Sequence, residues 1–273
     1  MTSNTATHNS HVLCTVSEQG IATLTLNQPE KHNAFDDHII AQLITHLQSL
    51  ATQTDLRGLV ITGTGKSFSA GADLAWMQRM ADYDKVQNLA DANQLALLMV
   101  LLDSFPKPTL ALVNGAAFGG AVGLMACCDS VICQDQANFC LSEVRIGLIP
   151  AVISPFVLNK VGPSISRHLM TSAAVFNANQ AISYGLVHQV VGLEQLQQAK
   201  SDWIKQTLGN SPEAVAQIKT LLAQFNTASP LAKENLACTQ ESTTEAIASI
   251  RVSTNGQAGL KAFLDKTAAP WRT

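Results

Sequence analysis

The run from Val113 to Asp129 restricts the fold more than any other stretch of the chain. A β-like run, Thr109 to Val113, leads into Asn114-Gly115, a turn signal, and then into Gly119-Gly120 followed by small apolar residues up to Cys128. This pattern reads as strand, loop and buried helix. A helix with so few bulky side chains has to be packed closely on several sides. The first N–H groups of a helix have no partner inside it. Glycine lets a ligand approach that backbone closely. The positive end of the helix dipole favours developing negative charge. The stretch is therefore a candidate oxyanion site, or else a helix pressed against a strand with glycine serving only sterics.

At 273 residues the chain suits one large domain, or one with an appendage. Only 14% of residues are charged while 47% are hydrophobic, against a usual charged share of about 25%. So little charge implies that part of the surface is covered by other copies of the chain. A net charge of −3 with no basic run argues against nucleic acid. The eight-residue apolar run before Asp103 is far too short to cross a bilayer, so no membrane association is expected. Without a secretory segment, the six cysteines (Cys14, Cys127, Cys128, Cys133, Cys140 and Cys238) are expected to be reduced and mostly buried in a cytoplasmic protein. Their spacing matches no common zinc site, and no metal is expected.

Residues 1–11 read as a flexible polar tail. Val12 to Val16 and Ile21 to Leu26 form a hairpin around Glu18-Gln19-Gly20. Asn27 to Glu30 is a loop. Asp36 or Asp37 caps a helix carrying Ile39, Ile40, Leu43, Ile44 and Leu47. Gly58 to Thr62 is a buried strand, Ser67 to Asp73 a loop, and Asp84 to Asp103 a helix with Leu95, Leu98, Met99 and Leu102 on one side. Ser130 to Cys133 and Ala137 to Leu141 are further extended pieces. Strands alternating with helices argue for an α/β fold with a parallel sheet. Beyond Ser154 the chain reads as helical with little strand. Ser211-Pro212 opens a helix carrying Val215, Ile218, Leu222 and Phe225. Ser229 to Arg251 and Asn255 to Lys266 read as two more.

Several motifs fail on spacing. Gly65-Lys66-Ser67 mimics the end of a phosphate loop, but Val60 stands where that loop needs another glycine. The glycines at 115, 119, 120 and 123 do not form a dinucleotide fingerprint, and the seven histidines are scattered. Two loops survive this sorting, Phe68 to Leu74 and the Gly119-Gly120 pair. Each follows a strand and so lies where α/β sheets bind ligands. One N–H from each could meet at a single carbonyl oxygen. Glu143 sits in an apolar stretch, where desolvation would raise its pKa and suit it to proton transfer near neutral pH. The alternative is an ion pair with Arg145, which would lower it.

At these residues the chain resembles the enoyl-CoA hydratase/isomerase (crotonase) family. The likeness runs from the Asn27 to Ala34 loop to the last helix and includes Ala70-Gly71-Ala72-Asp73, Asn114-Gly115 with Gly119-Gly120, and the Glu143 segment. The resemblance implies a ββα-spiral core over residues 12–200 and a helical trimerisation region over 201–273. The assembly would be a homotrimer or a dimer of trimers. It implies an acyl-CoA thioester whose carbonyl lies between the N–H groups of Ala72 and Gly120, with Glu143 as the acid/base. CoA would be held by the loops containing Lys31, Ala34, Ala70, Asp73 and Leu74, while Phe263 and Lys266 reach the CoA of a neighbouring subunit. No cofactor is implied beyond the CoA of the substrate.

One departure bears on the reaction. Family hydratases carry two glutamates, and the first would fall at position 123, which is Gly123. A single glutamate suffices for the family's isomerases. The segments Gly115–Leu124 and Ser142–Pro155, however, look like those of bacterial methylglutaconyl-CoA hydratases and γ-carboxygeranoyl-CoA hydratases. Their substrates carry a carboxymethyl group on the β-carbon. The expectation is a carboxylated 2-enoyl-CoA hydratase. The substrate carboxylate would help to place water in room left by Gly123, and Arg145 is a candidate grip on that carboxylate. The other readings are an isomerase and a non-catalytic acyl-CoA-binding subunit.

Overall fold

The computed structural model describes residues 10–225 and 233–269. Strands β1 (Val12–Val16) and β2 (Ile21–Leu26) pair antiparallel as the expected hairpin. Helix α1 (Asp37–Ala51) follows, capped by Asp36, whose side chain accepts from the Ile39 N–H. Three turns of a spiral come next, each placing one strand in a large sheet and the next in a small one. The first holds β3 (Gly58–Gly63), β4 (Ser67–Ser69), α2 (Leu74–Ala81) and α3 (Lys85–Asp103). The second holds β5 (Thr109–Val113), β6 (Ala116–Phe118) and α4 (Gly120–Cys127). The third holds β7 (Ser130–Gln134), β8 (Asn138–Cys140), a 3-10 turn over Glu143–Ile146 and α5 (Ser154–Ser172).

Short β9 (Phe176–Asn177), α6 (Ala178–Ser183) and β10 (Gln189–Val191) close the two sheets. Helices α7 (Leu196–Leu208), α8 (Pro212–Phe225), α9 (Lys233–Arg251) and α10 (Thr254–Leu264) complete the chain. The large sheet runs β1-β2-β3-β5-β7-β10, parallel from β2 onward. The small sheet runs β4-β6-β8-β9, with β4, β6 and β8 parallel. This is the expected ββα spiral with a helical C-terminal region. The Ser67 to Asp73 stretch differs from the loop expected, because its first three residues pair with β6. So short a strand, Ser-Phe-Ser, falls below the roughly four residues over which alternation reveals a strand.

The parallel strands read as nearly continuous apolar runs because both of their faces are covered. Leu59, Ile61, Ala111, Val113, Val131 and Cys133 enter the main core. The alternate residues Val60, Leu110, Leu112 and Ile132 pack under Leu196 and Ala199 of α7. Every residue of α4 after Gly120 is buried, as its small side chains require. Of the cysteines, Cys127, Cys128, Cys133 and Cys140 are buried thiols and Cys14 is half-buried. The side chains of Phe225 and Cys238, the start of the expected Ser229 helix, and most of the expected N-terminal tail lie outside the described residues.

Candidate active site

Because β4, β6 and β8 are parallel, the loops after them leave the same edge of the small sheet, where ligands bind in such sheets. Ala70 to Asp73 follows β4, Gly119-Gly120 follows β6, and Ser142-Glu143 follows β8. Residues from all three loops line one cavity of about 410 Å³. Gly71 (φ 90°) and Gly119 (φ 55°) both lie in the left-handed region, open to glycine at little cost. These two turns fix which N–H groups are used internally. The Gly71 N–H donates to Ser69 Oγ, the Asp73 N–H to the Phe35 carbonyl and the Gly119 N–H to the Cys140 carbonyl. Between them, the Ala72 and Gly120 N–H groups meet no protein acceptor among the described residues. Gly120 is also the first residue of α4, so its N–H stands at the positive end of the helix dipole.

Glu143 opens its 3-10 turn and lines the same cavity as this pair. Its Oε2 is buried with no hydrogen-bond partner, although the residue as a whole is partly exposed. A methyl group built on Gly119 would lie 3.2 Å from Oε1, so the carboxyl stands over the glycine turn. Burial pushes its pKa up to about 7. The alternative ion pair does not form: Arg145 is exposed and donates from Nη2 to the Ala173 carbonyl.

Position 123 corrects an expectation. Gly123 leaves no room, since a Cβ there would lie 2.3 Å from Ile153 Cγ2 and 3.3 Å from Met99 Sδ. Ile153 fills the place beside α4 and lines the cavity itself. The substrate-held water therefore has no vacant slot at Gly123.

Of the other expected site residues, Ala70, Arg145 and Phe263 line the cavity, whereas Lys31, Ala34, Asp73, Leu74 and Lys266 do not. Phe263 lines the cavity of its own chain, because α10 packs on α2 and on the Glu143 turn. Lys266, just beyond α10, is exposed. The two outer loops are tied together: Lys31 Nζ lies 3.2 Å from Asp73 Oδ2, and the Ala70 N–H donates to the His32 carbonyl. Asp73 also caps α2 through the Ala75 and Trp76 N–H groups. Burial alone would raise its pKa, but the Trp76 bond and Lys31 outweigh it and lower the value.

The far wall of the cavity was not anticipated. Trp76, Met77 and Met80 come from α2, Asp91, Ala92 and Leu95 from α3, and Ile247 and Arg251 from α9. Arg251 and Asp91 form an ion pair there at 3.1 Å, with both side chains nearly buried. Among the described residues no group of three or more His, Cys, Asp or Glu could hold a metal. No described helix is long and apolar enough to cross a membrane.

Two free N–H donors beside a carboxyl group, in a mostly apolar cavity, are the parts needed to move a proton next to a carbonyl group. Comparison with known proteins agrees. Residues 16–273 match the family model for enoyl-CoA hydratase/isomerase. The 2,3-dehydroadipyl-CoA hydratase of Escherichia coli is 33% identical over 76% of this chain and 80% of its own length. The trans-2-decenoyl-(acyl-carrier-protein) isomerase of Streptococcus mutans is 31% identical over 76% and 80%. A crystal structure of an enoyl-CoA hydratase from Shewanella pealeana superimposes with a TM-score of 0.78 at 43% identity, over 96% of both chains. The chain belongs to the enoyl-CoA hydratase/isomerase family, enzymes that act on acyl-CoA thioesters.

Proposed function

We propose that this enzyme adds water to a β-branched, carboxylated 2-enoyl-CoA. The best candidate is 3-methylglutaconyl-CoA, hydrated to 3-hydroxy-3-methylglutaryl-CoA as in leucine breakdown. The γ-carboxygeranoyl-CoA of terpene breakdown is the alternative of the same chemistry. The observation that carries the reading is the Glu143 carboxyl, whose buried Oε2 has no hydrogen-bond partner, in one cavity with two N–H groups that no acceptor among the described residues uses. In this reading the Ala72 and Gly120 N–H groups hold the thioester oxygen and stabilise the enolate as it forms. Water attacks the β-carbon while neutral Glu143 delivers its proton to the α-carbon. The carboxylate so formed takes a proton from the added water and returns to its neutral form. One carboxyl with two oxygens thus serves both ends of the addition, and Gly123 needs no replacement. The loops bearing Lys31, Ala34, Ala70, Asp73 and Leu74, with Lys266 at the rim, hold the CoA. No metal or redox group takes part.

Assembly belongs to the same proposal. Helix α8 exposes Ile218, Leu221 and Leu222, an apolar stripe suited to burial between copies in a homotrimer or a dimer of trimers. Light scattering on the purified protein measures this directly.

A second reading, double-bond isomerisation from the 3- to the 2-position, is favoured by the single carboxyl. One experiment separates the two: follow the enoyl thioester absorbance of 3-methylglutaconyl-CoA, crotonyl-CoA and a 3-enoyl-CoA with purified enzyme. Fast loss with the first alone supports the proposal. Turnover of the 3-enoyl substrate alone contradicts it in favour of the isomerase. Silence on all three moves the reading to γ-carboxygeranoyl-CoA, and thioester binding without turnover of that substrate as well leaves a non-catalytic acyl-CoA-binding subunit.

A further inference from the structure

Two arginines line the cavity, Arg145 and Arg251. Arg145 is exposed and its guanidinium is engaged with the Ala173 carbonyl. Arg251 is different. It ends α9, is only 7% exposed, and is held from one side. Its Nη1 meets Asp91 Oδ2 at 3.1 Å and Asn88 Oδ1 at 3.4 Å. Its Nε is buried with no partner among the described residues. The acid that balances it is itself shared, since Trp76 Nε1 donates to Asp91 Oδ1 at 3.2 Å.

We infer that Arg251 is the specificity-determining cation of the acyl pocket, recognising a carboxylate at the far end of the acyl group. The inference rests on the acyl-CoA reading above and names which residue reads the acid. A guanidinium presents its N–H groups as a planar fork that suits a carboxylate. A buried charged donor without a partner is costly, and an incoming anion removes that cost where an alkyl group cannot. Asp91 and Asn88 fix the fork by its Nη1 end, and the unpartnered Nε, itself closed to water, meets a ligand once the guanidinium turns into the cavity that the residue lines. The rest of this wall (Trp76, Met77, Met80, Leu95 and Ile247) is apolar apart from the indole N–H that Asp91 takes, so a carboxylate has no competing cation there. Burial raises the pKa of Asp91, and Arg251 only partly offsets this.

The test measures binding of two unreactive saturated thioesters by calorimetry: 3-methylglutaryl-CoA, and its uncharged counterpart with an isopropyl group in place of the carboxylate. Wild-type enzyme should prefer the acid by roughly 10- to 100-fold, the range of a hydrogen bond to a charged group. Arg251→Gln should abolish that preference, and Arg145→Gln should not. Removing one member of a buried pair endangers folding, so the neutral double variant Asp91→Asn/Arg251→Gln is measured too, with the same loss expected. A preference that survives in both Arg251 variants, or that vanishes in Arg145→Gln instead, overturns the inference. Equal binding of both thioesters by wild type overturns it while leaving the acyl-CoA reading intact. Failure to bind either thioester overturns both.

Discussion

The two ends of the cavity are built in different ways. The carbonyl end is made of backbone: two N–H groups, placed by Gly71 and Gly119 in left-handed conformations, on loops that leave adjacent parallel strands. The carboxyl that shares the cavity with them is that of Glu143. The far end is made of side chains from α2, α3 and α9, which meet across about 160 positions of sequence, as Arg251 and Asp91 do. A backbone site is set by the fold itself and suits the chemistry every substrate shares. A side-chain wall is changed residue by residue and suits the part of the substrate that varies.

The largest effects are expected at the carbonyl end. Glu143→Gln keeps the shape and removes the titrating proton, so kcat should fall by about 10²–10⁴-fold, the usual share of a general acid. A variant retaining more than about a tenth of wild-type activity removes Glu143 from that role. Ala72→Pro deletes one of the two N–H donors, and initial-rate kinetics should show a loss of roughly 10²–10³-fold in kcat.

Stability carries the smaller effects. Glu143 has its pKa raised from 4.5 to about 7 in the folded protein, so the folded state binds the proton more tightly than the unfolded chain. Its contribution is complete below pH 4.5 and is lost as pH climbs through 7. Urea melts at pH 8 should therefore find Glu143→Gln more stable than wild type by up to roughly 3 kcal/mol, with little difference at pH 4. At Gly123 two effects oppose each other. Helix propensity alone gives Gly→Ala a gain of about 1 kcal/mol. The Ile153 side chain, 2.3 Å from the new Cβ, should reverse the sign and cost about 1–3 kcal/mol. The same melt on Gly123→Ala/Ile153→Ala should recover part of that loss. A stabilised single variant would mean that the slot beside α4 is open after all.

The same division explains what could be read from the chain. The hairpin, α1, α3 and the parallel strands carry hydrophobic patterns and caps that act locally, and Asp36 caps as its position suggests. The glycines at 119 and 120 and the apolar setting of Glu143 were legible because each is a local property of the backbone or its neighbours. Three features were not. The short strands β4 and β6 owe their existence to each other, not to propensity. The space at position 123 is decided by Ile153, thirty positions away, so the missing side chain there looked like a vacancy when it is a close contact. Arg145 drew attention through its nearness in sequence to Glu143, whereas Arg251 enters the cavity only because α9 docks on α3. Nothing in the residues around Arg251 announces that docking.

The pH dependence of kcat/KM for hydration of the carboxylated enoyl-CoA tests the role of Glu143 most directly. If neutral Glu143 gives its proton to the α-carbon, the rate is level at low pH and declines above a pKa near 7. That limb should be absent from the residual activity of Glu143→Gln. A profile that instead rises through 7 would make the Glu143 anion the working form, as proton abstraction by an isomerase requires. A limb that persists unchanged in Glu143→Gln would place the titrating group elsewhere.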